Sequence, residues 1–358
     1  MHTRGEDTGW TVWDRETRGF VSRFGNLTGL KGIKQKRQLE ITPYIAHGTT
    51  DPSVDPELDG VKDEFDHAEN IGMDLKLGIT PNLTLNAAFQ PDFGQVEADP
   101  SELNLSPFET YFDEKRPFFL DGAQYFWHPD HTMFYSRRIG TGGANSRIRM
   151  AGKVIGKTEN DIALAMLYAQ TDVTGNDQSH NFLKSGNQKT HYLFGKFGRE
   201  FKGGANQISI AQSAVIRKAE LNDSGDRNRD GYTSRVDFDL NFHDRDYLIH
   251  GSFIGSIIDP AELESDTTAL MQSMQSRRYG TGGVLKLLKV GGNLNYGLIL
   301  RSRDEDLDIN DFGFNSSNDD LKTILWGEYS YNSDSQSLKF LNWEIEGELS
   351  RTWLYAAS

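Results

Sequence analysis

The chain has no cysteine among its 358 residues. Disulfides, thiolate metal sites and thiol nucleophiles are therefore excluded. It also has no run of the 18 or more apolar residues that a membrane-crossing helix needs, and only 36% of its residues are hydrophobic. A helical membrane protein is excluded, whereas a β-barrel is not, because half of each spanning strand faces away from lipid. Positive charge is scarce as well, with 38 Lys and Arg against 52 Asp and Glu and a formal net charge of -14. Nucleic acid needs a basic surface, so it is not an expected partner. Residues 1–9, Met-His-Thr-Arg-Gly-Glu-Asp-Thr-Gly, hold no apolar signal-peptide core. The chain is therefore expected to be a fragment whose leader lies elsewhere.

What is present is alternation. In Val236-Asp-Phe-Asp-Leu-Asn-Phe242 and Tyr247-Leu-Ile-His-Gly-Ser-Phe253 the large apolar residues fall on every second position. A strand sends successive side chains to opposite faces, so Val236, Phe238, Leu240 and Phe242 share one side while Arg235, Asp237, Asp239 and Asn241 share the other. The spacing predicts strands over 232–242 and 247–257, about the 9–11 residues that cross a bilayer at a tilt.

Further strands are predicted at 37–49, 72–80, 83–91, 147–157, 161–171, 190–198, 206–216, 279–288, 292–302, 322–332 and 337–349. Connections alternate between short (Glu159-Asn160, 199–205, 243–246, 289–291, 333–336) and long (172–189, 217–231, 258–278, 303–321). Tight turns on one side of a membrane and longer loops on the other produce this rhythm. Phe242 and Tyr247 flank one tight turn, as interfacial aromatics do. The expected fold is all-β, an antiparallel up-and-down transmembrane β-barrel, incomplete within this chain, in a bacterial outer membrane. Residues 1–34 form a segment leading into a barrel domain at 35–358. The pattern breaks at 92–130, which is expected to be an inward-folded insert or plug, and 51–68 reads as an acidic solvated loop.

Gln90-Pro-Asp-Phe-Gly-Gln-Val-Glu-Ala-Asp-Pro100, Asn104-Leu-Ser-Pro-Phe-Glu-Thr110 and Glu114-Lys-Arg-Pro-Phe-Phe-Leu-Asp-Gly122 together form a long ordered block. With Val21-Ser-Arg-Phe-Gly-Asn-Leu-Thr-Gly-Leu-Lys-Gly-Ile33, Phe134-Tyr-Ser-Arg-Arg-Ile-Gly140 and Asp311-Phe-Gly-Phe314, it resembles the C-terminal part of bacterial proteins labelled carbohydrate-binding family 9 domain-containing. The resemblance implies a domain of unknown function regarded as an outer-membrane barrel. Gln90, Asp113 and Asp121 depart from that pattern, which has Asn, Pro and Glu there. The carbohydrate-binding sandwich typical of such proteins has no counterpart in these residues, and the barrel is expected to stop short of closing at Ser358.

Asp92, Glu97, Asp99, Glu109 and Glu114 stand near Lys115, Arg116, Arg137 and Arg138. Two carboxylates can act as acid and base on a glycosidic bond, which makes a membrane-associated glycan hydrolase the alternative function. The preferred reading is a lumen-facing group, Asp92, Phe93, Glu97, Asp99, Glu109, Lys115, Arg116, Arg137 and Arg138, whose ion pairs pin the insert. The protein would then bind or pass a solute such as a saccharide, with outer-membrane lipid and an unidentified envelope protein as partners. Asp226-Arg-Asn228-Arg-Asp230-Gly231, with Asp237 at the twelfth position, matches half of a calcium loop, so Ca²⁺ is the one cofactor suggested. His128 and His131 flank Asp130 in a Pro-containing segment; a metal site is conceivable there, and a surface loop is the expectation. Gly140-Thr-Gly-Gly143 and Gly280-Thr-Gly-Gly283 read as turns that lead into strands.

Overall fold

In a computed structural model, residues 27–29, 38–50, 66–91, 104, 109–140, 146–173, 189–218, 229–259, 277–332 and 342–354 are described. Thirteen strands form one sheet: β1 (Leu39–Thr50), β2 (Asp66–Thr80), β3 (Leu83–Phe89), β4 (Ser146–Lys157), β5 (Ile162–Val173), β6 (Lys189–Phe201), β7 (Asn206–Lys218), β8 (Asp230–Phe242), β9 (Tyr247–Asp259), β10 (Arg278–Lys289), β11 (Leu294–Arg303), β12 (Asp320–Asn332) and β13 (Asn342–Leu354). Their order in the sheet is their order in the chain, and each pairs antiparallel with its neighbours. The fold is all-β and up-and-down.

Most strand boundaries fall within a few residues of the expected ones, with two corrections. β2 begins at Asp66, not 72. Asp66-His-Ala-Glu-Asn carries no alternation, yet its backbone completes the ladder with Thr50 to Ala46 of β1. β13 is displaced five residues from 337–349, to Asn342–Leu354, by its register, in which Asn342 faces Asn332 and Leu354 faces Asp320.

Burial is inverted relative to a water-soluble sheet. In β8, Arg235 is 0% and Asp237 4% exposed, while Val236 between them is 45% exposed. Across the ladder, Ile210, Val236 and Phe253 form one outward row, at 54%, 45% and 52% exposure. The charged face is covered because residues 109–140, between β3 and β4, and residues 304–319, between β11 and β12, lie on it.

The 109–140 segment contributes Phe119, Phe126, Met133 and Ile139 to a buried cluster completed by Ile148, Ile155, Leu167, Tyr192 and Phe194 of β4–β6 and by Phe312 of the 304–319 segment. Small wall residues, Ala151, Ala165, Ala169 and Ala211, leave room for these rings. Each large apolar side chain so buried contributes about 1.5–3 kcal/mol. The two covering segments join through a bridge between Thr132 and Phe314 and a hydrogen bond from the Tyr135 amide to the Phe312 carbonyl, 2.8 Å.

Gly280 and Gly282 are not in a turn: they lie inside β10, where a Cβ would strike the backbone or side chain of Leu307. They let the second segment press against the wall. Residues 141–143 of the other glycine-rich run lie outside the described residues.

The contacts require a concave face. At about 4.8 Å per strand a flat sheet would hold β3 and β9 roughly 29 Å apart. Yet Asp121 accepts a hydrogen bond from Asn86 of β3 (3.1 Å), and Asp130, nine residues on and beyond a 3₁₀ turn, meets His250 of β9 (2.7 Å). The sheet curves around the segment.

Candidate functional site

Three registers of β7–β10 supply the polar floor of the site. Gln207, Asp239, His250 and Lys286 form one row, Ser209, Asp237 and Ser252 the next, and Arg235 and Ile254 the third. Trp127-His-Pro-Asp-His131 of the insert lies over them. Both histidines are buried, at 8% and 5% exposure, which corrects the expectation of a surface loop.

Asp237 is the hub. Its carboxylate accepts from Arg235 Nε (2.9 Å), Ser252 Oγ (2.7 Å) and Ser209 Oγ (3.1 Å), and His128 Nε2 stands 3.2 Å away. His128 Nδ1 receives the amides of Asp130 and His131, at 3.2 and 3.4 Å, so its proton sits on Nε2, aimed at Asp237. Arg235 Nη1 donates to the His131 carbonyl (3.0 Å), tying wall to insert.

The second hub is His250. Its Nε2 is 2.7 Å from Asp130 and its Nδ1 2.6 Å from Asp239. Two ionised carboxylates only accept, so both ring nitrogens donate and the ring is an imidazolium. Lys286 Nζ completes Asp130 at 2.6 Å. Three carboxylates (Asp130, Asp237, Asp239) thus meet three paired cations (Arg235, His250, Lys286), with Lys196 of the Arg235 row a fourth positive group nearby.

Electrostatics of the insert follow. Burial works to raise the Asp130 carboxyl, but the hydrogen bonds and charges of His250 and Lys286 outweigh it and hold the group well below the usual carboxylate range. Burial pushes His128 down, with Asp237 opposing. His131 is pushed down to about 4 by burial and then by its neighbours His128 and Arg235. Its Nε2 is buried with no hydrogen-bond partner.

A depressed histidine costs stability in acid. The unfolded chain takes up a proton near pH 6.5 and the folded one only near 4, so stability falls as pH drops through that window and levels off below it. His131→Leu is expected to leave stability at pH 7 unchanged or slightly raised, since no hydrogen bond is lost. It should also flatten the loss between pH 6.5 and 4. Urea midpoints across that range check both; an unchanged acid slope in the variant refutes the assignment.

His128, Asp130 and His250 offer ligand atoms within 4.8 Å of one another, close enough for one divalent ion. In the arrangement seen, protons and the Lys286 ammonium occupy those positions, and His128 presents N–H rather than a lone pair.

The chain matches the family described as a domain of unknown function (DUF5916), over residues 37–180 and 145–357. It belongs to that family. No curated protein matches it.

In this DUF5916 chain the residues expected to pin the insert pair mostly within it. Glu114 binds Arg116 Nη2 at 2.7 Å and Ser136 Oγ at 2.6 Å, and Arg116 also donates to the carbonyls of Ile139 and Ser136. Burial opposes ionisation of Glu114, but Arg116 prevails and its carboxyl lies low. Glu109 pairs with Arg138 at 2.6 Å, while Lys115 and Arg137 are half-buried.

Attachment to the wall falls to other residues. Lys76 pairs with Asp121 (2.9 Å), Lys153 donates to the carbonyls of Phe118 and Asp121, and Tyr192 donates to the Arg138 carbonyl (3.1 Å). None of these wall residues was marked by sequence reasoning. The available signal was a Lys on the polar side of an alternating strand.

Asp92, Phe93, Glu97 and Asp99, and also Asp226 and Asn228, lie outside the described residues. The calcium-loop reading is corrected at its other end. Asp230 and Asp237 sit seven residues apart on one strand, roughly 23 Å, and Asp237 is already taken by Arg235. One ion cannot bridge them.

Proposed function

We propose that this chain is part of a β-barrel of the bacterial outer membrane, wrapped around a resident plug, that binds or passes a solute such as a saccharide. The observation that carries the membrane reading is the inverted burial, with aliphatic residues outward and ion pairs inward. A water-soluble sheet has no reason to expose Ile41, Ile71, Ile208, Ile210 and Phe253 at 51–64%.

The outer face is also zoned. Phe242, Tyr247, Lys289 and Tyr296 share one row at the short-turn end. Leu240, Ile249, Leu287, Leu298 and Leu325 form the next, and Tyr232, Ile257 and Tyr279 lie at the long-loop end. Ten residues separate Tyr232 from Phe242. At the rise of a strand tilted about 40° that is roughly 25 Å, the height of the apolar band of such barrels between its aromatic girdles.

The solute reading rests on the insert. Tyr111, 50% exposed, stacks on Tyr135 at 4.8 Å and meets Phe314 edge-on, with the Glu109–Arg138 pair beside them. An open ring face next to charged hydrogen-bonding groups suits a sugar, whose C–H face stacks while its hydroxyls bond.

Refolding into phosphatidylcholine vesicles followed by flotation and alkaline carbonate extraction tests the membrane reading. The chain is expected to stay with the vesicles, and its release refutes insertion. Swelling of those vesicles in sugars of graded size tests the solute. Neither swelling nor binding with any sugar refutes that part, and glycan cleavage lost on Glu109→Gln would favour the hydrolase.

A further inference from the structure

The inward row next to the polar floor, one step toward the short turns, is apolar. It runs through Leu248, Leu288, Gly297 and Trp326, and Ile299 and Ile324 prolong the Asp239, His250 and Lys286 row beside it. Leu287, Tyr296 and Leu325, exposed on the outer side, alternate with these residues and fix their direction. Leu248, Leu288, Ile299, Ile324 and Trp326 are all half-buried, and none belongs to the buried clusters that the two covering segments form with the wall.

Gly297 sets the posture of the indole. A Cβ there would come within 2.6 Å of Trp326 Nε1 and strike a Leu288 methyl. The ring therefore leans across the glycine toward Leu288, along the wall rather than out from it, and its free side is turned to the lumen. The next inward pair toward the turns is Asn295 with Glu328. Asn295 Oδ1 is buried with no hydrogen-bond partner, and the Glu328 side chain makes no ion pair or hydrogen bond among the described residues. Two acceptors without a donor thus stand beside an aromatic surface.

We infer that this shelf is a second subsite for a neutral saccharide, the C–H face of one sugar ring stacked on Trp326 and its hydroxyls donating to Glu328 and Asn295. A sugar presents what the shelf lacks, several donors around an apolar face. An organic cation also suits an indole beside a carboxylate, but its charge would leave water against the aliphatic side chains of Leu288 and Ile299, at a cost that a hydroxyl-bearing ring avoids. The position fits a passage. The Tyr111 and Tyr135 surface lies toward the long loops, where Tyr192 of β6 donates to the Arg138 carbonyl, and Trp326 lies toward the short turns. A solute crossing past the insert would leave one aromatic surface and meet another.

The subsite rests on the solute reading, and the experiment tells the two apart. The full chain in octyltetraoxyethylene micelles is titrated with maltotriose, cellotriose and chitotriose, with saturation-transfer NMR and tryptophan emission as readouts. At least one trisaccharide is expected to bind and to change the emission. Trp326→Ala should weaken that binding about tenfold, the loss of one stacked ring, and Glu328→Ala should weaken it about tenfold or more, the loss of a bond to a charged acceptor. Trp326→Phe should hold affinity within about threefold yet abolish the emission change, a result that misfolding of the alanine variant cannot imitate. Binding that survives Trp326→Ala but is lost in Tyr111→Ala, or an emission change that persists in Trp326→Phe, overturns the subsite and leaves the solute reading standing. Tetramethylammonium bound in place of the sugars, and lost in Glu328→Gln, makes the occupant a cation and overturns the saccharide subsite. No binding of any trisaccharide by the unaltered chain overturns both.

Discussion

Replacing Asp237 with alanine is expected to destabilise the folded chain by about 3–5 kcal/mol, the cost of leaving a buried charge without its partner. Arg235 is fully buried, its Nη2 already lacks an acceptor, and its Nε bond to Asp237 is its ionic anchor. The same substitution strips Ser209, Ser252 and His128 of their common acceptor, which loosens the insert at His128 as well as the wall. Removing both charges, as Arg235→Met with Asp237→Leu, should cost far less than Asp237→Ala alone, because no uncompensated ion remains. Urea unfolding in detergent of Arg235→Met, Asp237→Leu and the double closes that cycle. A midpoint for Asp237→Ala within about 1 kcal/mol of the original chain would show that water reaches Arg235 and that the network is not sealed.

Arginine at Ile210 should cost about 2–4 kcal/mol in a bilayer. Ile210 is 54% exposed, sits midway between the two aromatic rows, and faces away from the insert beside Val236. On a water-facing surface the same change lies within about 0.5 kcal/mol of neutral, so the proposed lipid contact is what separates the two outcomes. Arginine at the rim residue Tyr296 should cost only about 0–1 kcal/mol, since the penalty falls toward the interface. Equilibrium unfolding from vesicles reads both. Equal, near-zero costs at Ile210 and Tyr296 would remove lipid from the outer face and with it the barrel reading.

These effects share a cause: the outward row is simple and local, and the inward row is specific and distant. A residue such as Val236 needs only an apolar environment, which its period-two placement announces. Asp237 has a ready counter-ion in Arg235, two residues away on the same face, but nothing nearby in sequence says whether the pair faces water, a solute or other protein groups. Its partner His128 is over a hundred positions away, reached only because the sheet curves around the insert. Among the charged residues that sequence reasoning grouped, Glu114 pairs with Arg116 and Glu109 with Arg138, and these pairs brace the insert rather than anchor it. Asp311-Phe-Gly-Phe314 stood out as a motif without a task. Its role appears only in three dimensions, where Phe312 enters the core and Asp311 binds Arg217 at 2.7 Å.

The sequence by itself determined the thirteen-strand, up-and-down architecture and the two unlike faces of each strand, because side-chain direction alternates with every residue and is a local property of the backbone. It also determined, through its missing cysteines and missing apolar helices, which chemistries are closed. Tertiary structure alone decided that the charged face is covered and that His128, Asp130 and His250 converge. Convergence of that kind depends on curvature and on side chains brought together from remote strands, and neither is encoded at any single position.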